Sequence, residues 1–167
     1  HGPGTEDWLN RILANRMPRK VGGIVLAHLL THKGTVRSEF TVTRLGDEHF
    51  YLVGTPRGER HDFDVLQKSL PADGSVQLTN VTAERGGLTV VGPNARDLLS
   101  SLVDGDLSND AFPWMSAQSL TVGLASDVRM MRINYEGELG WELYHPIAYN
   151  LHLFEEICRA GEAHGLK

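Results

Sequence analysis

Apolar positions in the first half of the chain follow helical spacing and then alternate with polar ones. The first apolar residues share one face of a predicted helix: Trp8, Leu9, Ile12 and Leu13. Period-two alternation then predicts three strands: Val21–Leu30, Thr35–Leu45 and Phe50–Val53. A second amphipathic stretch predicts a closing helix over about Glu59–Leu70. The first half therefore predicts a helix, three antiparallel strands and a helix.

The same order of patterns returns in the second half. Its helically spaced apolar residues are Leu98, Leu99, Leu102 and Val103. Its predicted strands and closing helix are Leu120–Leu124, Val128–Tyr135, Trp141–Tyr144 and Ala148–Ala163. This repetition predicts an α+β fold built from two similar units.

Each predicted unit opens on a Gly-Pro pair. Gly2-Pro3 and Gly92-Pro93 are separated by 92 − 2 = 90 residues. Proline suits the first turn of a helix and cannot continue a strand ladder, so each pair marks a strand-to-helix boundary. Chance similarity of two helix starts is the alternative. The matching order of elements favours a duplicated unit, with copies at 1–83 and 84–167.

The stretch between the two copies predicts a hairpin. Val76–Val81 and Leu88–Val91 supply its strands, and Arg85-Gly86-Gly87 supplies its turn. No strand precedes Gly2-Pro3, whereas Leu88–Val91 precedes the second Gly-Pro pair. We therefore expect the first strand of the fold to be missing from this chain.

Composition narrows the kinds of partner. The net charge is 16 − 21 = −5, so no nucleic-acid partner is expected, because phosphate binding needs a basic surface. Cys158 is the single cysteine, which excludes an internal disulfide and a cysteine-based zinc site. His28 and His32 lack an adjacent acid and a third ligand, so no metal is expected. No apolar run is long enough to span a bilayer and no signal peptide opens the chain, so no membrane partner is expected.

A strand over Thr35–Leu45 carries Glu39 at its middle. Successive side chains point to opposite faces, so Val36, Phe40 and Val42 are expected in the core and Glu39 on the polar face. This carboxylate is either part of a solvated face with cross-strand charge pairs or a functional acid. Composition alone favours the solvated face.

A second carboxylate follows a loop rich in glycine and acids. Glu142 alternates with Trp141 and Leu143, so it points away from two large apolar side chains. A carboxylate there can form two parallel hydrogen bonds with a planar N–H array, as an arginine or a pterin offers. Pairing with Arg129 or Arg132 on the neighbouring strand fits the spacing equally well.

These two segments are similar to motifs of one family. They read Thr-Val-Arg-Ser-Glu-Phe-Thr-Val-Thr-Arg-Leu at 35–45 and Asn-Tyr-Glu-Gly-Glu-Leu-Gly-Trp-Glu-Leu at 134–143. Together they resemble the folate-binding domain of the glycine-cleavage T-protein (aminomethyltransferase) family. Within that family the chain is most similar to the C-terminal half of dimethylglycine and sarcosine dehydrogenases, and the resemblance covers essentially the whole chain.

The resemblance implies roles for four residues. Glu39 matches the acid nearest the reacting nitrogens of tetrahydrofolate, which makes it the implied catalytic residue. Tyr135 matches a tyrosine that lines the pterin pocket, and Glu142 matches the glutamate that grips the amino-pyrimidine edge of the pterin. Thr55 departs from the family pattern, because T-proteins carry an asparagine that reaches folate at this place.

The implied fold is the α+β folate-binding fold of the T-proteins. It consists of duplicated helix–antiparallel-sheet–helix units, which are ferredoxin-like halves. We expect this chain to be truncated at both ends of that fold. The implied function is capture of the oxidised N-methyl group of a small methylated amine as 5,10-methylenetetrahydrofolate. Tetrahydrofolate is the implied cofactor, and FAD is expected on an N-terminal flavin domain outside this chain. The expected location is the bacterial cytoplasm, or the mitochondrial matrix in a eukaryote.

Two alternatives remain open. The first is a stand-alone glycine-cleavage T-protein or a folate-dependent demethylase without a flavin domain. The second is a folate-binding protein without transferase activity. Relatives of the second kind carry a Lys-Gly-Cys-Tyr-x-Gly-Gln signature, which is absent from this sequence.

Overall fold

The computed structural model describes all residues, 1–167, and divides into two compact units, His1–Asn80 and Val81–Lys167. The first unit contains helices α1 and α2 and strands β1, β2 and β3. Their bounds are α1 Thr5–Ile12, β1 Ile24–Leu30, β2 Val36–Gly46, β3 His49–Val53 and α2 Glu59–Lys68. The strands form one antiparallel sheet in the order β1-β2-β3. Each element predicted for this half is present, with ends within three residues of the prediction.

One face of this sheet is covered by the helices. Phe40 and Val42 of β2 are buried there, as the alternation predicts. Leu9 of α1 is fully buried in the same core. The indole Nε1–H of Trp8 donates to Ser69 O at 2.9 Å, so a large aromatic ring enters the core with its polar atom satisfied.

The second unit contains four strands and two helices. Their bounds are β4 Arg85–Val91, α3 Ala95–Ser100, β5 Ala117–Val122, β6 Ala125–Met131, β7 Gly140–Pro146 and α4 Asn150–Gly161. The antiparallel sheet has the order β4-β7-β6-β5. Its core is built around Trp141 and Leu143 of β7, together with Leu99 of α3 and Leu153 of α4, all of them fully buried.

The two units share a burial pattern, a bridge and a strand order. Residues 1–20 and 91–110 match residue for residue in whether each is buried, half-buried or exposed. An isolated bridge joins Leu13 to Leu29 in the first unit and Val103 to Val122 in the second. The positions after the first helix, 13 and 103, are again 90 residues apart. The strands that follow that helix also keep one order, β1-β2-β3 in the first unit and β5-β6-β7 in the second.

The predicted hairpin around Arg85-Gly86-Gly87 is wrong. These residues belong to the single strand β4, which pairs with β7 along its whole length. Val76 instead enters the core of the first unit, and Gln77 pairs through backbone hydrogen bonds with His1. Gly86, which suggested a turn, instead allows the side chain of His145 to approach the backbone closely. A Cβ at this position would lie 2.4 Å from Cε1 of His145.

The prediction of a strand over Val128–Tyr135 is wrong at its end. Strand β6 stops at Met131, and Tyr135 lies in the loop before β7. The side chain of Asn134 explains the break, since its Oδ1 accepts from Gly137 N at 2.8 Å and folds the backbone into a turn. Val36 was expected in the core but is 63% exposed, because it lies at the first residue of β2, past a register shift in the pairing with β1.

No helix in the structure has the length and apolar character required to cross a membrane.

Replacing Gly86 with Ala should destabilise the second unit. The new methyl carbon would lie 2.4 Å from His145 Cε1 and 2.8 Å from Asn150 Oδ1, and His145 is fully buried. We expect a loss of about 1–3 kcal/mol, which is typical of overpacking, measured by urea denaturation. Gly105→Ala is the control, because its methyl group would first meet the flexible Leu120 Cδ2 at 3.4 Å. Equal stability of the two variants would contradict the close contact.

Candidate functional site

Glu39 lies on the face of the first sheet opposite to the helices. Its Cα partner across the ladder is His28 of β1, and His28 Nε2 lies 2.8 Å from Glu39 Oε2. The two side chains are 32% and 44% exposed, so the pair is open to solvent and to a ligand. The cross-strand partner that the sequence left open is therefore a histidine.

The two residues before Glu39 are tied to helix α2. Arg37 Nη2 lies 2.9 Å from His61 Nε2, and Ser38 Oγ donates to Asp62 Oδ1 at 2.5 Å. His61 Nδ1 in turn lies 3.0 Å from the same carboxylate oxygen of Asp62. Since Asp62 is buried, this network anchors the start of β2, next to Glu39, to the start of α2.

Thr55 lies two residues after the end of strand β3 and is exposed. The last pair of the ladder between β2 and β3 is Thr41 with Val53, and Glu39 and Thr55 each lie two residues from that pair. The two predicted residues of the first unit therefore lie at the same end of one sheet.

Glu142 lies on β7 between the buried Trp141 and Leu143 and points to the opposite face, as predicted. Its Oε2 accepts a hydrogen bond from Tyr144 Oη at 2.8 Å. Burial raises the pKa of the Glu142 carboxyl, the Tyr144 hydrogen bond lowers it, and the charge of Glu136 raises it further. This carboxylate is half-buried on the face of the sheet that the core leaves free.

The alternative pairing of Glu142 with Arg132 is not formed. Arg132 donates to Phe112 O at 2.6 Å and to Asn109 Oδ1 at 2.7 Å instead. Arg129 lies opposite Tyr144 in the ladder between β6 and β7.

Tyr135 is 95% exposed in the loop that joins β6 to β7. Glu136, the next residue, is close enough to raise the pKa of Glu142 by its charge. The loop that carries Tyr135 therefore brings the charge of Glu136 within electrostatic range of Glu142, while the Tyr135 ring itself is exposed.

Sequence reasoning missed the residues that hydrogen-bond to the two acids. Tyr144 was detectable, because it stands two residues from Glu142 on the same strand and so shares its face. His28 was not detectable, since it meets Glu39 only through the strand register. The structure contains no group of three or more His, Cys, Asp or Glu side chains that could hold a metal ion.

The sequence of this chain and its fold match a known family of domains. The family model for the GCVT N-terminal domain matches residues 1–167, so the chain belongs to this family. It is an aminomethyltransferase-type domain related to dimethylglycine and sarcosine dehydrogenases, which confirms the resemblance of its motifs. A crystal structure of glycine cleavage system aminomethyltransferase T from Bartonella henselae matches with a TM-score of 0.75 at 27% identity, over 93% of this chain and 41% of that one.

Three relatives show the range of this branch. Human mitochondrial dimethylglycine dehydrogenase is 38% identical over 95% of this chain and 18% of its own length. Human mitochondrial sarcosine dehydrogenase is 32% identical over 96% of this chain and 18% of its length. The mitochondrial pyruvate dehydrogenase phosphatase regulatory subunit of Mus musculus is 31% identical over 95% of this chain and 18% of its own length. The chain thus spans about a fifth of the length of the curated relatives it matches.

Replacing Glu142 with Gln should change how stability depends on pH. A raised carboxyl pKa means that the folded chain holds this proton more tightly than the unfolded chain. Stability is therefore lost as the pH rises from the ordinary carboxyl pKa through the raised one. The Gln variant removes this loss, so we expect it to be more stable than the parent at pH 7, with the difference vanishing below about pH 4.

We expect the gain at pH 7 to stay below about 1 kcal/mol, because a half-exposed carboxylate is screened by solvent. Thermal denaturation across pH 3–8 measures it. Glu138→Gln serves as the control, since Glu138 is exposed in the same loop. A Glu142→Gln variant that loses stability at pH 7 would contradict the assigned direction of the shift.

Proposed function

We propose that this chain is the tetrahydrofolate-binding domain of a flavin-dependent enzyme of the dimethylglycine or sarcosine dehydrogenase kind. The observation that carries the proposal is the half-buried Glu142 carboxylate, which faces away from the core and has a neutral hydroxyl as its hydrogen-bond donor. Such a group suits two parallel hydrogen bonds from the amino-pyrimidine edge of a pterin. Membership of the GCVT family supports the same ligand.

In the proposed reaction, bound cofactors supply the reactive groups and the side chains of this domain hold and orient tetrahydrofolate. A flavin bound to another domain would supply the oxidising chemistry for the N-methyl group, and tetrahydrofolate bound to this chain would supply the nucleophilic nitrogens. The oxidised methyl carbon would end as the bridging carbon of 5,10-methylenetetrahydrofolate, and the demethylated amine would be the leaving group. Glu142 would hold and orient the pterin, which brings the advantage of an intramolecular reaction. Tyr135, exposed in the adjacent loop, would pack on the pterin ring. Thr55 would offer its hydroxyl where the T-proteins have an amide.

Glu39 would manage the proton that the attacking nitrogen loses. A general base must reach that proton, and the open position of Glu39 on its sheet face allows this. The network of Arg37, Ser38, His61 and Asp62 supports the role, because a carboxylate on an anchored strand end keeps its position during the reaction.

A second candidate function is binding without catalysis. One relative, 31% identical over 95% of this chain, carries the name of a regulatory subunit. A domain of that kind would bind a folate-like ligand through Glu142 and show no methylene transfer. The candidate of a stand-alone T-protein is supported by the likeness to the Bartonella henselae aminomethyltransferase.

We also infer that the two compact units are copies of one repeat, at about 1–83 and 84–167, built as ferredoxin-like halves. The common burial pattern of residues 1–20 and 91–110 and the two matching bridges support this inference. The three dehydrogenase and regulatory-subunit relatives carry mitochondrial names, and for a eukaryotic source we propose the mitochondrial matrix.

In the intact protein, Glu142→Ala should weaken binding of tetrahydrofolate at least about tenfold, or ~1.4 kcal/mol, because two charge-assisted hydrogen bonds are lost. Isothermal titration calorimetry measures the affinity. Glu138→Ala, an exposed acid of the same loop, should leave it unchanged. Parent-like affinity in Glu142→Ala would sink the assignment of the pterin contact.

Glu39→Gln should separate capture from oxidation. We expect flavin reduction by the methylated amine to be unchanged and methylene transfer to fall about 10²-fold, the usual scale for loss of a general base. Stopped-flow flavin absorbance and the yield of 5,10-methylenetetrahydrofolate measure the two steps. Glu48→Gln, an exposed acid of the same unit, is the matched control. Unchanged transfer in Glu39→Gln would remove this residue from the mechanism.

A further inference from the structure

Each unit carries an arginine at a matching backbone position, Arg44 near the end of β2 and Arg132 directly after β6. In the first unit the backbone N–H of Arg44 donates to Gly23 O at 3.0 Å, and in the second that of Arg132 donates to Ser116 O at 2.8 Å. The carbonyls of these arginines accept from the residues just before, Gly22 N at 2.8 Å and Met115 N at 3.2 Å. Arg44 and Arg132 are therefore equivalent positions of the repeat.

The surroundings of the two guanidinium groups also match. Arg44 lies 5.0 Å from the ring centroid of Phe50, and Arg132 lies 5.7 Å from that of Trp141. In both arginines the Nε–H group is buried without an acceptor. The two units thus hold their arginine over an aromatic ring in the same way.

The two units differ in the charged residue that lies next to the arginine. Arg44 forms an ion pair with Glu6 of α1. The equivalent position, 6 + 90 = 96, is occupied by Arg96. The Arg96 guanidinium lies 5.7 Å from the centroid of the same Trp141 ring that Arg132 covers. An acid–base pair in one unit is therefore replaced by two cations in the other.

Only neutral oxygens accept from these two cations. Arg96 Nη2 and Arg132 Nη2 both donate to Asn109 Oδ1 at 2.7 Å, and the further acceptors are the carbonyls of Leu107 and Phe112. None of the ion pairs in the structure includes either arginine. Burial lowers the pKa of Arg132, and the charge of Arg96 lowers it further. The position that holds a carboxylate in the first unit thus lacks a negative charge in the second.

We propose that Arg96, Arg132 and Asn109 form a binding site for one carboxylate of a small molecule, which supplies the negative charge that Glu6 supplies to Arg44 in the first unit. Arg96 still has the two N–H groups of Nη1 to offer, because its hydrogen bonds use Nε and Nη2. Asn109 is exposed, so a ligand can reach the site from solvent. Arginine suits this task because its planar donors match both oxygens of a carboxylate.

The same two charges define which carboxylates fit. An ammonium group next to the carboxylate would be repelled by both guanidiniums. The site therefore favours a carboxylate on an uncharged carbon chain over that of an amino acid zwitterion. This inference stands apart from the proposed folate chemistry, since none of its three residues is assigned to the pterin or to proton transfer.

An NMR titration of the ¹⁵N-labelled 167-residue chain tests the proposal. Sodium acetate replaces sodium chloride at constant ionic strength, while the Arg132 Nε–H and Trp141 Nε1–H signals are followed. We expect saturable shifts with a Kd of about 1–10 mM, the range of a single small anion. N,N-dimethylglycine should bind at least about fivefold more weakly. Equal affinity for the two probes would overturn the stated selectivity, and a response that does not saturate by about 100 mM would overturn the site.

Arg96→Glu copies the ion pair of the first unit into the second. We expect this variant to lose the response to acetate and to melt at a higher temperature than the parent in chloride. Lys20→Glu, an exposed position of the first unit, makes the same change in net charge and should keep the response. Arg96→Gln should lose the response as well, which provides a second test if the Glu variant folds poorly. A parent-like response in either Arg96 variant contradicts the proposal.

Discussion

The helices of each unit cover one face of its sheet, and this constraint decides where chemistry can occur. Side chains on a strand alternate between faces, so a residue next to a core position must point away from the core. Glu39 precedes the buried Phe40, and Glu142 stands between the buried Trp141 and Leu143. A slip of the register by one residue would bury both acids and expose these aromatic rings. The hydrophobic core therefore sets the orientation of both candidate acids before any ligand is considered.

The first helix of each unit and the directions of the two acids were predictable, because they depend on local sequence signals. The helix starts follow from the Gly-Pro pairs, and the direction of Glu142 follows from its two apolar neighbours. The hydrogen-bond partners of the acids depend on another kind of information. His28 meets Glu39 through the pairing of β1 with β2, and a single sequence does not state that register. Tyr144 required only the strand period, because residues 142 and 144 of one strand share a face.

The errors share one physical cause, which is that a local signal has two uses. Glycine at position 86 suits a turn, yet it also allows close approach, and the buried His145 beside it decides in favour of the second use. The alternating run before Tyr135 suits a strand, but the Asn134 side chain competes for the backbone and ends the ladder. Val36 has the hydrophobicity of a core residue, but it is the first residue of β2 and lies past the register shift in the pairing with β1. At Gly86 a residue distant in the sequence makes the choice, and at Asn134 a local side chain makes it.

The shared burial pattern of residues 1–20 and 91–110 has a consequence for how substitutions can be compared. Leu9 and Leu99 are fully buried at equivalent positions, each in a helix that follows a Gly-Pro pair. The surrounding sheets differ, with three strands in one unit and four in the other. One chain thus contains two buried leucines at matching helix positions under two different sheets. The difference in cost between identical substitutions at the two sites measures what the additional strand contributes to the rigidity of its core.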